Sequence, residues 1–101
     1  MLHTQIAVPY DTIKAFCQQR PIRKLSLFGS VLRDDFALDS DVDILVELER
    51  DAGVGYFELV QMQIDLSAIF GREVDLLTPS ALSHHFREHV VNTAWVIYEK
   101  E

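Results

Sequence analysis

Residues 27–47 read LFGSVLRDDFALDSDVDILVE, and this stretch decides the fold of the 101-residue chain. It leads from an apolar segment through a Gly-Ser turn to two aspartates, Asp41 and Asp43, at the start of a second apolar segment. In that second segment, VDILVEL at 42–48, every second residue is Val or Ile until the closing leucine. The two-residue period predicts a β-strand with one wholly apolar face.

The bulk composition is that of one globular domain covering residues 1–101. Hydrophobic residues make up 49% of the chain and charged residues 25%, and the length is close to the common domain size. The net charge of -7 argues against stand-alone binding of nucleic acid, because neutralising phosphates requires a cationic surface. A metal-dependent site or a basic protein partner suits this charge equally well.

Two further features indicate where the protein resides. The apolar runs are far shorter than a membrane span, and no signal peptide opens the chain. The single cysteine, Cys17, excludes an internal disulfide and is compatible with a reducing compartment. We therefore expect a cytoplasmic protein.

The remaining segments are predicted to alternate between strands and helices. Further strands are expected at Lys24–Phe28, Glu73–Leu77 and Trp95–Tyr98, the last at a sheet edge. Helices are expected from Asp11, as the N-cap, to Gln19, from Tyr56 to Phe70 before Gly71, and in one or two pieces between Pro79 and Val91. This order predicts an α/β (α+β) fold in which helices pack against a small mixed β-sheet.

Asp41 and Asp43 are candidate ligands of a divalent metal. On a strand, residues two apart project from the same face, with Cα atoms roughly 6.6 Å apart at ~3.3 Å per residue. Two carboxylates at that spacing can converge on divalent cations, as in two-metal sites for phosphoryl transfer. Magnesium prefers such oxygen ligands and keeps substrate phosphates in its shell. Asp-x-Asp alone is a common pattern, so it indicates a candidate site only.

Gly29 and Ser30 form the turn that leaves the preceding strand. Without a Cβ, Gly29 lets the backbone approach a triphosphate closely, while Ser30 offers a hydroxyl and an N–H beside the N-terminus of a following helical turn. Arg33 could reach phosphate oxygens as a permanent cation, or it could pair with Asp34 or Asp35 at the surface. The alternative for the Gly-Ser pair is an ordinary strand-to-helix turn.

Asp75 is the best candidate for a third carboxylate. It lies in VDLL, residues 74–77, where a charged residue inside an apolar strand needs a cation or hydrogen-bond partners if it is buried. If this strand pairs beside the strand at 42–48, Asp75 shares a face with Asp43. The alternative is an edge-strand aspartate that faces water.

The Gly-Ser pair, the ten residues that follow it and Asp41-x-Asp43 together resemble the signature of the DNA polymerase β-type nucleotidyltransferase superfamily. In its small size the chain resembles members of the minimal nucleotidyltransferase (MNT) branch of this superfamily. The resemblance covers about Leu25 to Leu77. It implies a nucleotidyltransferase fold in which the Gly-Ser pair grips phosphates. It further implies that Asp41, Asp43 and Asp75 are the catalytic, metal-binding carboxylates, with Asp75 as general base.

The same resemblance implies the cofactor, the substrates and the partner. Superfamily members use Mg²⁺ and ATP and move a nucleoside monophosphate to a hydroxyl. Members of the MNT branch are antitoxins beside HEPN toxins, which implies transfer of AMP to a tyrosine of a HEPN ribonuclease. One departure is visible: relatives often have Ala-Arg-Gly where this chain has Leu32-Arg33-Asp34, which adds a negative charge near the expected triphosphate.

Two other functions stay open at this point. A non-enzymatic antitoxin would block its partner by binding alone, and a different transferase would modify a small molecule such as an aminoglycoside. The few residues after Leu77 leave no room for a domain that holds a small acceptor, which disfavours the latter. A zinc site at His84, His85 and His89 is disfavoured because no cysteine lies nearby.

Overall fold

The computed structural model describes residues 6–32 and 41–100. Along the chain the elements are α1 (Tyr10–Gln18), β1 (Ile22–Phe28), a 3-10 turn (Gly29–Leu32), β2 (Val42–Leu48), α2 (Tyr56–Phe70), β3 (Val74–Leu77), a second 3-10 turn (Pro79–Ala81), α3 (Arg87–Thr93) and β4 (Trp95–Glu99). The predicted α/β class, with helices against a small mixed sheet, is confirmed. The predicted loop at Phe36–Ser40 lies outside the described residues.

The four strands form one mixed sheet in the order β3-β2-β1-β4. β1 runs antiparallel to both β2 and β4, whereas β2 and β3 are parallel. A parallel pair needs a crossover connection, and α2 supplies it. The prediction that the last strand lies at a sheet edge is confirmed, and β3 forms the other edge.

The two-residue period of β2 produces the predicted apolar face. Val42, Ile44 and Val46 are fully buried. They belong to a large core cluster that also contains the buried side of both long helices: Ile13, Phe16 and Cys17 of α1, and Met62 and Leu66 of α2. Helices α1 and α2 therefore cover one face of the sheet.

The opposite face carries a second, smaller cluster. Phe28, Leu45 and Leu82 are buried there, and residues from the end of β3 and from the region of α3 pack against them. Leu45 alternates with Ile44 along β2, so this strand is buried on both faces at its centre. The smaller cluster lies on the same face as Asp43, two residues earlier.

The ends of the helices differ in part from the prediction. α2 spans the predicted residues and ends at Gly71, which adopts a left-handed conformation with φ of 71°. The predicted N-cap at Asp11 is wrong: α1 begins at Tyr10 after Pro9, and Asp11 lies inside its first turn. The fixed φ of proline suits the position before a helix, while an acidic residue in the first turn favours the helix dipole. Between Pro79 and Val91 there is one 3-10 turn and the start of α3.

No helix within residues 6–32 and 41–100 is long and apolar enough to cross a membrane.

Candidate functional site

The register of three adjacent strands places two of the predicted carboxylates side by side. Asp43 of β2 is the register partner of Phe28 in β1 and of Asp75 in β3. Register partners on neighbouring strands share a face and are about 5 Å apart. The strand pairing on which the third carboxylate depended is therefore present, and Asp43 lies at the centre of the site.

The three aspartates differ in their exposure. Asp41 immediately precedes β2 and is exposed, whereas Asp43 is half-buried. Asp75 is exposed on the edge strand β3. Asp75 is therefore the water-facing aspartate of an edge strand that the sequence left open as the alternative, and the cost of a buried charge does not apply to it. The register with Asp43, and not desolvation, is what associates Asp75 with the site.

Gly29 forms one wall of the site. Its φ of +78° lies in the left-handed region, and a Cβ added there would overlap the Asp43 carboxylate, 3.2 Å from Cγ. Any other residue would be strained by the backbone and would displace the carboxylate. The sequence predicted a glycine that lets phosphate approach, but its contact with Asp43 could not be found from the motif alone, since it depends on the pairing of Phe28 with Asp43.

The other residues predicted to bind nucleotide are described only in part. Ser30 is half-buried in the four-residue 3-10 turn that begins at Gly29. Val31 is fully buried and anchors this turn in the core. Arg33 lies outside the described residues, so its predicted contact with phosphate stays a prediction.

Asp43 and Asp75 share one face of the sheet, and Asp41 lies just before β2, two residues from Asp43. Within the described part of the chain, no group of three or more His, Cys, Asp or Glu side chains is close enough to hold a metal ion. The donor set that faces the site nevertheless consists of carboxylate oxygens, which are the ligands that Mg²⁺ prefers.

Arg87 supports the loop beside the site, a role that the sequence did not predict. Its Nε donates to the carbonyl oxygen of Pro79 at 2.7 Å, and its Nη2 donates to that of Leu82 at 3.1 Å. These bonds hold the loop that inserts Leu82 into the small cluster beside Phe28 and Leu45. The small buried cluster next to the site is therefore well packed. No local signal marked this arginine, because its partners are carbonyl oxygens of a loop.

Comparison with known proteins places these residues in a family context. The chain matches a family model described as a nucleotidyltransferase domain over residues 10–95. This range includes the Gly-Ser turn and all three aspartates.

Two relatives and one solved structure illustrate the likeness. A Methanocaldococcus jannaschii protein that is provisionally named a protein adenylyltransferase is 33% identical over 72% of this chain and 76% of its own. The protein adenylyltransferase MntA of Thermococcus cleftensis is 36% identical over 60% of each chain. A crystal structure of a toxin-antitoxin with AMP-PNP has a TM-score of 0.72 and 18% identity, covering 93% of this chain and 76% of that one. At that identity the structure supports the fold only.

Proposed function

We propose that this chain, which belongs to the nucleotidyltransferase domain family, is a cytoplasmic antitoxin that transfers AMP from ATP to a hydroxyl group of a cognate HEPN ribonuclease toxin. The acceptor hydroxyl is that of a tyrosine. The observation that carries the proposal is the strand register that sets Asp43 between Gly29 and Asp75. Relatives named as protein adenylyltransferases support the choice of AMP and of a protein acceptor.

Asp41, Asp43 and Asp75 fit a magnesium site by the chemistry of their carboxylate oxygens, and Asp43 and Asp75 also share a face of the sheet. Mg²⁺ bound there would stabilise the charge that develops on the transferring phosphoryl group. The missing Cβ of Gly29 leaves the Asp43 carboxylate its place in this set.

The chain's own groups divide the remaining work. Gly29 and Ser30 bind phosphate oxygens through the turn, and Arg33 adds a permanent positive charge. Asp75 accepts the proton of the acceptor hydroxyl while the oxygen of that hydroxyl bonds to the α-phosphorus of ATP. The bond between the α-phosphorus and the bridging oxygen breaks, and pyrophosphate leaves.

The exposure of Asp75 agrees with a macromolecular acceptor. An exposed base on an edge strand can be reached by a tyrosine on the surface of another protein. The net charge of -7 favours a partner with a basic contact surface. A transferase for a small acceptor would instead need an enclosed pocket around its base.

The test is intact mass spectrometry of the toxin encoded beside this chain, after incubation with the protein, ATP and Mg²⁺. We expect the toxin mass to increase by one or more AMP units. The increase should disappear with Asp43→Asn. It should persist with the matched control Asp51→Asn, because Asp51 is exposed in a loop with φ of 58°, a conformation that asparagine tolerates.

Two outcomes would contradict the proposal in different ways. A stable complex without any mass increase would indicate an antitoxin that acts by binding alone. Full transfer by both Asp41→Asn and Asp43→Asn would overturn the assignment of the site while leaving the activity in place.

A further inference from the structure

The edge strand β3 is held on both of its sides. It has four residues and pairs in parallel with β2. The carbonyl oxygen of Glu73 accepts a hydrogen bond from the Val42 N–H at 2.9 Å. Because alternate residues of a parallel strand turn to the same neighbour, Val74 and Leu76 direct their N–H groups away from β2. An edge strand normally leaves such groups to solvent.

Two side chains of α2 accept these outward N–H groups. The Val74 N–H donates to Ser67 Oγ at 3.0 Å, and the Leu76 N–H donates to Gln63 Oε1 at 2.9 Å. The Ser67 hydroxyl in turn donates to the backbone carbonyl oxygen of Gln63 at 2.9 Å. We call Gln63 and Ser67 the edge clamp.

The spacing of the edge clamp matches the strand. Gln63 and Ser67 are four residues apart, which is about 6.0 Å along a helix at 1.5 Å per residue. Val74 and Leu76 are two residues apart, which is about 6.6 Å along a strand. Helix α2 therefore presents two acceptors to β3 much as a further strand would.

Asp75 lies between the two clamped residues. Its side chain is exposed, and within the described part of the chain no hydrogen bond to its carboxylate is found. The position of this carboxylate is therefore set by its backbone. The backbone is fixed by β2 on one side and by the edge clamp on the other.

We propose that Gln63 and Ser67 are positioning residues that hold Asp75 in register with Asp43. The proposal rests on the proposed function, in which Asp75 is the general base. Removing the Gln63 acceptor leaves the Leu76 N–H without its partner and loosens β3 next to Asp75. Mispositioning a base slows the chemical step, whereas ATP binding depends on the Gly-Ser turn at the other side of Asp43.

The test compares three substitutions in α2. Gln63→Ala removes the acceptor and Gln63→Glu keeps an acceptor oxygen. Gln61→Ala is the matched control, because Gln61 is exposed and, among the described residues, its side chain bonds only to Asp65 one turn along the same helix. We expect Gln63→Ala to lower kcat about tenfold, as for a reacting group misplaced by less than 1 Å. KM for ATP should stay within about twofold. Gln63→Glu should restore most of kcat, and Gln61→Ala should behave as wild type.

A second measurement separates positioning from general destabilisation. The double variant with Asp75→Asn and Gln63→Ala should have the same kcat as Asp75→Asn alone, because the effect of Gln63→Ala passes through Asp75. A full additional tenfold loss would overturn the proposal. If Gln63→Ala fails to fold, Ser67→Ala takes its place in this comparison.

Hydrogen exchange keeps the test independent of catalysis. The Val74 and Leu76 amides should exchange faster in Gln63→Ala than in wild type or Gln61→Ala. Unchanged protection of both amides would overturn the edge clamp, even if the wild-type protein transferred no AMP. Absence of transfer by the wild type would instead contradict the proposed function, so the two failures are distinguishable.

Discussion

The two faces of the sheet divide stability from chemistry, and β2 takes part in both. Ile44 lies on the face that α1 and α2 cover and is fully buried in the large cluster. Asp43, its neighbour in the chain, lies on the opposite face, where three of the described residues form a smaller buried cluster. Of these two consecutive residues of β2, Ile44 thus contributes to stability and Asp43 to the candidate site. A carboxylate can be placed with precision because the rigid core fixes the other side of its strand.

The sharpest test of this division is Asp43→Asn. The amide is nearly the size of the carboxylate but carries no charge to hold a cation, so transfer of AMP should fall on the order of a thousandfold, about 4 kcal/mol of transition-state stabilisation. The free energy of unfolding should change little, since Asp43 is outside the large core cluster. Steady-state kinetics and urea denaturation measure the two quantities. A large drop in stability would mean that the faces are not separable at this position.

The complementary change is Ile44→Ala. Truncating a fully buried isoleucine leaves a cavity, and the free energy of unfolding should fall by about 2–5 kcal/mol. At temperatures where the variant remains folded, kcat per folded molecule should stay within about threefold of wild type, because the altered side chain points away from the site. Urea denaturation and active-site titration check both statements. Loss of activity in fully folded protein would show that the core face also tunes the site.

Gly29→Ala probes the contact between the turn and the carboxylate. The added methyl group would overlap the Asp43 carboxylate and move it, so we expect transfer to fall about a hundredfold, as for a misplaced reacting group. Gly53→Ala is the matched control: its φ of +68° imposes the same backbone strain, but nothing lies within 4 Å of its Cβ. In both variants the backbone strain alone should cost about 1 kcal/mol of stability. Equal activity of the two variants would contradict the proposed role of Gly29.

Local patterns were sufficient to predict most of the sheet. The alternation in VDILVEL gave the bounds of β2 at Val42–Leu48, and the helical spacing gave α2 at Tyr56–Phe70. The sequence predicts the pairing of Asp43 with Asp75 only as a condition, because a single sequence does not reveal which strands are neighbours. The parallel register supplied the answer.

What could not be predicted depends on contacts between distant parts of the chain. The bond from Leu76 to Gln63 links a strand to a preceding helix, and a glutamine on a helix carries no sign of such a partner. The exposure of Asp75 could be predicted only as one of two alternatives, because an aspartate between apolar residues looks the same on an edge strand as on a central one. Burial follows from strand order, which is a property of the whole sheet.

The helix-covered face should also respond to alkaline pH through Cys17. This thiol is buried against the sheet, and burial raises its pKa from 9.0 to about 12, partly opposed by the positive charge of Arg20. Above pH 9 the unfolded chain releases the thiol proton while the folded chain retains it, so the unfolded state binds fewer protons and stability falls as pH rises towards 12. One pH unit above the unfolded value, this loss should reach about 1.4 kcal/mol. Urea denaturation from about pH 8 to 10 would measure it as the difference in slope between wild type and Cys17→Ala. Cys17→Ala leaves every other titrating group in place, so the difference in slope reports the thiol alone. Parallel slopes would mean that the Cys17 thiol reaches solvent in the folded chain and that α1 does not fully cover this face of the sheet.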